Sequence, residues 1–261
     1  MQALVLGAVP PSDEAELTGW LALHGLEPAD AAAFRANLER LLVYRTLVRG
    51  TLTSAVELSI PRSMARLGPL FDEYFDRFLA ERGPATHYLR DVTNEWLAFV
   101  EPHFASDPRV PPFLFELARH EALELNVASS ADTPEESDEV ELDLARALVF
   151  ARDARVVRYA FAVHELASDL GDRSVPEQRP TALFVYRSRE HDVRYLELTP
   201  VAAHLVERLL LGQPLGVAVT EAAAALGQAP DPSVLEGTAR LLADLAERGA
   251  LLGAAPPETL P

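Results

Sequence analysis

The chain has 261 residues, of which 49% are hydrophobic and 24% are charged, a composition typical of a folded globular protein rather than a disordered or fibrous one. It contains no cysteine, which excludes disulfides, thiolate metal sites and a cysteine nucleophile. Its formal net charge of −17 argues against nucleic acid as a partner, because binding to phosphates depends on basic side chains.

The N-terminal residues, MQALVLGAVPPSDEAE, form a short apolar run that has no basic lead-in and is followed at once by acids. This pattern fits neither a secretion signal nor a membrane-spanning helix. We therefore expect a cytoplasmic protein without a membrane partner.

The first half of the chain has the pattern of a helical bundle. Apolar residues recur at three- and four-residue intervals over residues 28–60, which predicts one amphipathic helix with Asp30 as its N-cap and Pro61 at its end. Gly50 lies inside this helix and suggests close packing or a bend. Three more helices are predicted at residues 69–81, 85–100 and 112–129. Residues 1–130 are therefore expected to form a helical bundle domain.

The second half changes character after an acidic segment, ADTPEESDE at residues 131–139, which has the composition of a linker. Runs rich in valine, phenylalanine and tyrosine predict strands. These strands are expected at residues 155–163, 181–187 and 193–198, and helices at residues 200–211, 215–226 and 233–248. Residues 140–261 are thus predicted to form a winged-helix-like α+β domain with a β-hairpin, and the whole chain to be mainly α, α+β.

The densest polar cluster lies in the helix predicted at residues 112–129. Glu116, His120 and Glu124 share one face at four-residue spacing, as metal ligands on a helix do. They match neither His-Glu-x-x-His nor the paired Glu-x-x-His motifs of di-iron bundles, so we interpret the face as solvated. Motifs for a serine nucleophile, a phosphate loop or a dinucleotide are also missing from the sequence. We predict no catalytic residue, no metal and no cofactor, and a binding protein rather than an enzyme.

The composition of the predicted helices in the C-terminal half favours a peptide over DNA as the ligand. Residues 215–226 contain no arginine and one acid, whereas a DNA-recognition helix presents basic or amide side chains to the bases. An exposed hairpin edge can instead accept an extended peptide through main-chain hydrogen bonds. The candidate peptide-binding residues on this edge are Leu183, Val185, Arg187, Val193, Tyr195 and Glu197.

Two segments of the first half carry a family pattern. In LLVYRTLVRGTLTSAVELSIPRSMARLG the matching residues are Tyr44, Arg45, Val48, Leu52, Ala55, Pro61, Leu67 and Gly68. In PFLFELARHEALELNVASSAD they are Pro112, Leu114, Leu117, Ala118, Arg119 and Glu121. At these positions the chain resembles the HvfC-like proteins, and residues 182–222 are similar to them more loosely. Family aromatics are replaced by Ile60, Phe113 and Ala122, which changes volume at apolar positions that the fold is expected to tolerate.

The resemblance implies an accessory role. Characterised members of the family are partners of multinuclear non-haem iron enzymes of the TIM-barrel type, which oxidatively modify ribosomally made precursor peptides. The partner binds the leader of the precursor, while the iron and the chemistry reside in the other chain. The resemblance therefore implies a non-catalytic subunit that pairs with such an enzyme as a heterodimer. A DNA-binding transcriptional regulator is the alternative, and a metal enzyme that uses Glu116, His120 and Glu124 is the third hypothesis.

The segment LVYRTLVRGT places Arg45 and Arg49 one helical turn apart, where like charges repel. Each is expected to pair with a carboxylate, and the resemblance suggests Glu121 as the partner of Arg45 because both belong to the matching segments. We expect Tyr44, Arg45, Arg49, Arg119 and Glu121 to tie helices together or to bind the partner enzyme.

Overall fold

The computed structural model describes residues 6–7, 10, 13–129, 142–227, 229 and 231–255. The chain forms two compact units. The first comprises Met1–Ala122 with Ala167–Arg173, and the second comprises Leu123–Leu166 with Ser174–Pro261. The predicted linker, residues 131–139, lies entirely outside the described residues, and the domain boundaries proposed from the sequence stay a prediction.

Helices build the first unit. They are α1 (Glu14–Leu23), α2 (Pro28–Ala36), α3 (Leu38–Ser59), α4 (Pro61–Leu67), α5 (Pro69–Glu81), α6 (Leu89–Phe104) and α7 (Leu114–Ala128), of which the last extends into the second unit. The helices predicted at residues 69–81 and 112–129 are confirmed, while α6 lies four residues beyond its predicted range. The sequence pattern did not predict α1, which Asp13 caps by accepting hydrogen bonds from the backbone of its first turn.

The prediction of a single helix over residues 28–60 is wrong, because the helix is interrupted at Asn37, between α2 and α3. The side-chain amide of Asn37 donates to the Ala33 carbonyl at 2.9 Å, an interaction that competes with a continuous helix. Asp30 is not the N-cap but lies in the first turn of α2, after Glu27. Pro61 ends α3 as predicted and also begins α4, since its fixed φ suits the first helical position.

Aromatic side chains between α5 and α6 form the centre of the first unit. Trp96 is fully buried, and its ring lies 5.5 Å from that of Phe71 and 5.9 Å from that of Phe104. Phe78 contacts Phe99 at 5.5 Å. Burial of each such ring contributes about 1.5–3 kcal/mol, so these aromatics stabilise the core of the first unit.

The short segment Ala167–Arg173 belongs to the first unit through contacts with α4. Arg66 forms a salt bridge with Asp172 at 2.9 Å, and the Arg173 guanidinium donates to the Ala65 carbonyl at 3.2 Å. Both arginines thereby bind this segment to a helix about 100 residues earlier in the chain.

Within the described residues, the second unit contains two small antiparallel sheets and three further α-helices. Its elements are β1 (Leu148–Phe150), β2 (Arg155–Tyr159), β3 (Thr181–Arg187), β4 (Val193–Glu197), α8 (Pro200–Leu210), α9 (Leu215–Ala224), α10 (Pro232–Glu247) and β5 (Leu251–Ala254). One sheet has the order β2-β3-β4, and the other pairs β1 with β5. The predicted strands and helices are confirmed within a few residues, except that β2 ends at Tyr159 and that β1 and β5 were not predicted.

Helix α8 packs on one face of the three-stranded sheet. Thr199 caps its first turn, and Pro200 occupies its first position. Phe184 of β3 and Leu205 and Leu209 of α8 are buried together in the core of this unit. The chain is therefore mainly helical with small sheets, as predicted, whereas the winged-helix arrangement stays a prediction. Among the described residues, none of the helices combines the length and apolar character needed to cross a bilayer.

Candidate functional site

The predicted peptide-binding residues divide between a central strand and an outer one. Leu183 and Val185 lie on β3, which pairs with β2 on one side and β4 on the other, and both side chains are buried. Arg187, at the end of β3, pairs with Val193. The placement of Leu183 and Val185 on an open edge is therefore wrong, because the pattern of a hairpin does not reveal that a third strand, β2, covers the other side of β3.

The other three predicted residues lie on β4, the outer strand of the hairpin. Val193, Tyr195 and Glu197 alternate with residues that exchange hydrogen bonds with β3. In this register their backbone groups are directed toward the outer side of β4. The hairpin itself is closed by the Ser188 N–H, which donates to the Asp192 carbonyl at 2.8 Å.

A polar cluster surrounds the end of β4. Arg179 donates hydrogen bonds to Glu197 and, at 2.6 Å, to Glu165. The His164 Nε2 atom lies 3.5 Å from Glu197 and 3.9 Å from Glu165. Of this cluster, only Glu197 is predicted from the sequence. Arg179 lies in a loop, and His164 and Glu165 lie in a 3-10 turn, all of them 18 or more residues away from Glu197.

Arg179 offsets part of the negative charge in this cluster. The hydrogen bond from Arg179 lowers the pKa of the Glu197 carboxyl below its ordinary value, and the same bond raises the pKa of Arg179. His164, Glu165 and Glu197 have ligand atoms within 4.8 Å of one another, a spacing that a metal ion could use. A cation bound there would compete with the Arg179 guanidinium for both carboxylates, so the geometry favours an ion-pair network.

The buried carboxylate of Glu121 holds the first turn of α4. Its oxygens accept hydrogen bonds from the backbone N–H groups of Arg62 and Ser63, both at 2.9 Å, and from the Ser63 hydroxyl at 2.6 Å. The Arg62 side chain adds a contact at 3.3 Å. The carboxylate thus satisfies backbone donors that a helix N-terminus leaves open. The predicted pairing of Glu121 with Arg45 is wrong, although a helix-tying role for Glu121 agrees with this geometry.

The two arginines of the LVYRTLVRGT segment lie close together on α3. Arg45 is buried, and this burial lowers the pKa of its guanidinium. Arg49 pairs with Asp76 of α5 and donates to the Leu6 carbonyl at 3.1 Å. Burial, and then the charge of Arg45, lower the pKa of Arg49. Arg49 therefore ties α3 to α5, and the pair does not form an exposed anion site.

Tyr44 and Arg119 differ from these arginines in their surroundings. The Tyr44 side chain is half exposed, and Val43 and Leu47 beside it on α3 are 60% and 64% exposed. The Arg119 guanidinium lies over the Phe115 ring at 5.9 Å, within the range of a cation–π contact. Tyr44 is therefore available to a partner, whereas Arg119 packs against its own helix.

The face predicted from Glu116, His120 and Glu124 is not uniformly solvated. His120 is buried at 4% exposure, while Glu124 is exposed and Glu116 is intermediate. A helix whose middle ligand is buried while the last is in solvent does not direct all three toward one ion.

The arginines of α10 are matched by acids on the same helix. Arg240 pairs with Glu236, and Arg248 contacts Asp244 at 2.8 Å, both at four-residue spacing. These pairs leave the helix without the excess of basic charge that a DNA-recognition helix directs at phosphates.

The chain is a mainly helical α+β protein, and its three-stranded sheet lies in the second unit. Residues 151–246 match the family model described as the HvfC C-terminal domain. This range includes the whole β2-β3-β4 sheet, α8, α9 and nearly all of α10. The match supports an HvfC-like family assignment and confirms the resemblance expected from the sequence. A search of curated proteins finds no match to the chain.

Proposed function

We propose that the chain is a non-catalytic, cytoplasmic recognition subunit that binds the leader of a precursor peptide and pairs with a multinuclear non-haem iron enzyme. The match of residues 151–246 to the HvfC C-terminal domain carries this proposal. The iron and the oxidative chemistry belong to the enzyme, and this chain contributes recognition of the peptide.

The three-stranded sheet supports the peptide-binding part of the proposal. Its order places β2 and β4 at the two sides, and an outer strand can pair with an extended peptide through main-chain hydrogen bonds. Val193, Tyr195 and Glu197 of the predicted set lie on β4. Leu183 and Val185 support the sheet from its interior instead.

An exposed apolar stripe on α3 supports the enzyme-binding part. Val43, Tyr44 and Leu47 fall on one side of the helix, because residues three and four apart are neighbours there. All three are more than half exposed. Adjacent exposed apolar side chains of this kind commonly mark a protein interface, and we assign this stripe to the iron enzyme.

Two binding measurements test the proposal with the full chain. Isothermal titration calorimetry with the leader encoded beside the iron enzyme is expected to show saturable binding, and the chain is expected to co-purify with that enzyme. Absence of both interactions would contradict the proposal. A salt-sensitive, saturable mobility shift with genomic DNA fragments would instead favour the transcriptional regulator.

Matched tyrosine variants locate the enzyme interface. Tyr44→Ser is expected to reduce co-purification with the iron enzyme by about tenfold, as loss of an interfacial tyrosine often does. Tyr88→Ser is the control, since Tyr88 is also exposed in the first unit, at 64%. Equal losses from both variants would show that the stripe on α3 is not the interface.

A further inference from the structure

The break between α2 and α3 does not interrupt the periodicity of their inward faces. Inward-facing residues recur at alternating intervals of three and four on both sides of Asn37. They are Ala31, Phe34, Leu38, Leu41, Arg45 and Val48, of which Ala31 and Arg45 are buried and the others half-buried. This spacing is that of one continuous amphipathic helix. The two helices can therefore join without turning either inward face toward solvent.

Local hydrogen bonds of Asn37 hold the break. Its side-chain amide donates to the Ala33 carbonyl at 2.9 Å, the acceptor that the Asn37 N–H would use in a continuous helix. That N–H instead donates to the Phe34 carbonyl at 3.1 Å. Asn37 makes no side-chain hydrogen bond that caps the start of α3, whose first N–H groups lack helical partners. Straightening would pair the N–H groups of residues 38–40 with the carbonyls of residues 34–36 and give up one side-chain hydrogen bond.

A small core of its own holds the α1–α2 hairpin together. Its buried side chains are Leu17, Leu21 and Ala31. Among the described residues from 13 to 51, Arg45 is the one other buried side chain. Phe34 and Leu38 border this core, and because they are four residues apart they stay neighbours when the helix is straight. The hairpin can therefore move about Asn37 with its core intact, and so small a core gives this region low local stability.

A straight helix would lengthen the exposed apolar stripe of α3. Tyr44 and Leu47 follow Ala33 and Ala36 by eleven residues each, which is close to three helical turns. Ala33 and Ala36 are exposed on α2, so straightening brings them into line with the stripe. A partner that covers the whole line makes these added contacts in the straight form alone. Such a partner shifts the population toward that form.

We propose that Asn37 is a hinge about which the α1–α2 hairpin swings between the bent form and a form with one continuous helix over residues 28–59. The iron enzyme selects the continuous form, because the stripe that it covers is longer there. This inference rests on the proposed function, since that function assigns the stripe to the enzyme. The hinge adds a change of shape in the recognition subunit when the enzyme binds.

A pair of spin labels measures the two forms in the full chain, which has no cysteine of its own. Ala22→Cys places one label on α1 and Glu57→Cys places the other on α3, both at exposed positions. The distance between them is greater when the helix is straight, because a helix rises about 1.5 Å per residue along one axis. Double electron–electron resonance is expected to resolve a short and a long distance.

Substitution of Asn37 tests the hinge in the labelled chain. Asn37→Ala is expected to give a ratio of long to short distances about fivefold higher than Asn37→Gly, because alanine is the better residue inside a helix. The unmodified chain is expected to lie between the two. Gly50→Ala is the control, since Gly50 lies inside α3 with nothing within 4 Å of an added Cβ. It makes the same glycine-to-alanine change away from the break and should leave the ratio unchanged.

Addition of the unlabelled iron enzyme tests the selection of the continuous form. The enzyme is expected to move the distance distribution of the labelled chain toward the long distance. Because binding and straightening are linked, Asn37→Gly is expected to bind the enzyme up to about fivefold more weakly than Asn37→Ala. Isothermal titration calorimetry of the enzyme with each variant measures this difference.

Several results would overturn the inference. Identical distance distributions for Asn37→Ala and Asn37→Gly, or an equal shift from Gly50→Ala, would show that Asn37 is not a hinge. If the enzyme binds the chain and the label distance does not lengthen, the inference fails while the proposed function stands. If neither the leader nor the iron enzyme binds, the proposed function fails and selection by the enzyme fails with it, while the two Asn37 variants still decide the hinge.

Discussion

At the scale of single residues, Glu121 shows how one carboxylate joins two helices. The side chain is 6% exposed and is surrounded by donors from Arg62 and Ser63. A buried acid is tolerated when each of its oxygens accepts hydrogen bonds. Glu121 therefore fixes the position of α7 against the start of α4.

Glu121→Ala is expected to lower the free energy of unfolding by about 3 kcal/mol, because it removes charged hydrogen bonds and leaves buried backbone donors without partners. Urea denaturation followed by circular dichroism measures the change. Glu124→Ala on the same helix is the control, since Glu124 is exposed and should change stability by less than about 0.5 kcal/mol. Similar losses from both variants would contradict the role of Glu121.

Two glycines are expected to respond to alanine in opposite directions. Gly68, between α4 and α5, has φ of 54°, so Gly68→Ala should destabilise the protein by about 1–2 kcal/mol. Gly50 lies in α3 with nothing within 4 Å of an added Cβ, so Gly50→Ala should stabilise it by about 1 kcal/mol. Thermal denaturation of both variants measures the changes. If Gly50→Ala instead lowers the stability, the position is closely packed, as the sequence suggests.

The sequence singles out Gly68 and Glu121 but does not reveal which residues they contact. Gly68 and Glu121 both stand in segments that carry the family pattern. The partner of Glu121 was missed because Ser63 is 58 residues away, and local periodicity contains no information on such pairs. The open environment of Gly50 was missed for the same reason, since neighbours in space determine it.

At the scale of elements, an ion pair connects β2 to α8. Arg158 holds Glu207 through two hydrogen bonds, and this contact lowers the pKa of the Glu207 carboxyl. A lowered pKa in the folded state means that the pair stabilises the protein above the unfolded pKa of glutamate, about 4.3. The stabilisation is lost as the pH falls through the lower, folded value.

Arg158→Gln is therefore expected to reduce the free energy of unfolding at pH 7 by less than about 1 kcal/mol, given the partial exposure of the pair. The difference from the unmodified protein should shrink as the pH falls below about 4. Urea denaturation at a series of pH values measures it. Arg240→Gln, which removes a highly exposed pair on α10, should have a smaller effect at pH 7. A difference that grows at low pH would contradict the assignment.

Elements with a strong local pattern were predicted well. The strand at residues 181–187 is confirmed at both ends, because its valine, phenylalanine and tyrosine run ends at the polar hairpin turn. By contrast, β1 and β5 have three and four residues and pair with each other across about 100 residues of sequence. Such short strands have little pattern of their own, and pairing partners far away define them. The same limit hid the central position of β3, and with it the burial of Leu183 and Val185.

At the scale of the whole molecule, the net charge of −17 and the paired arginines of α10 act together against binding to DNA. Long-range repulsion from phosphates slows encounter, and few cations are left to release counterions on contact. A partner that offers backbone hydrogen bonds instead of phosphates avoids this repulsion. The charge distribution therefore agrees with peptide recognition better than with nucleic-acid recognition.

The proposed function assigns recognition of the peptide to this chain and the chemistry to another protein. Mass spectrometry of the precursor peptide, after incubation with the iron enzyme in the presence and absence of this chain, tests this division of roles. Efficient oxidative modification is expected only when both proteins are present, and none with this chain alone. Equal modification by the iron enzyme without this chain, or modification by this chain alone, would contradict the proposed function.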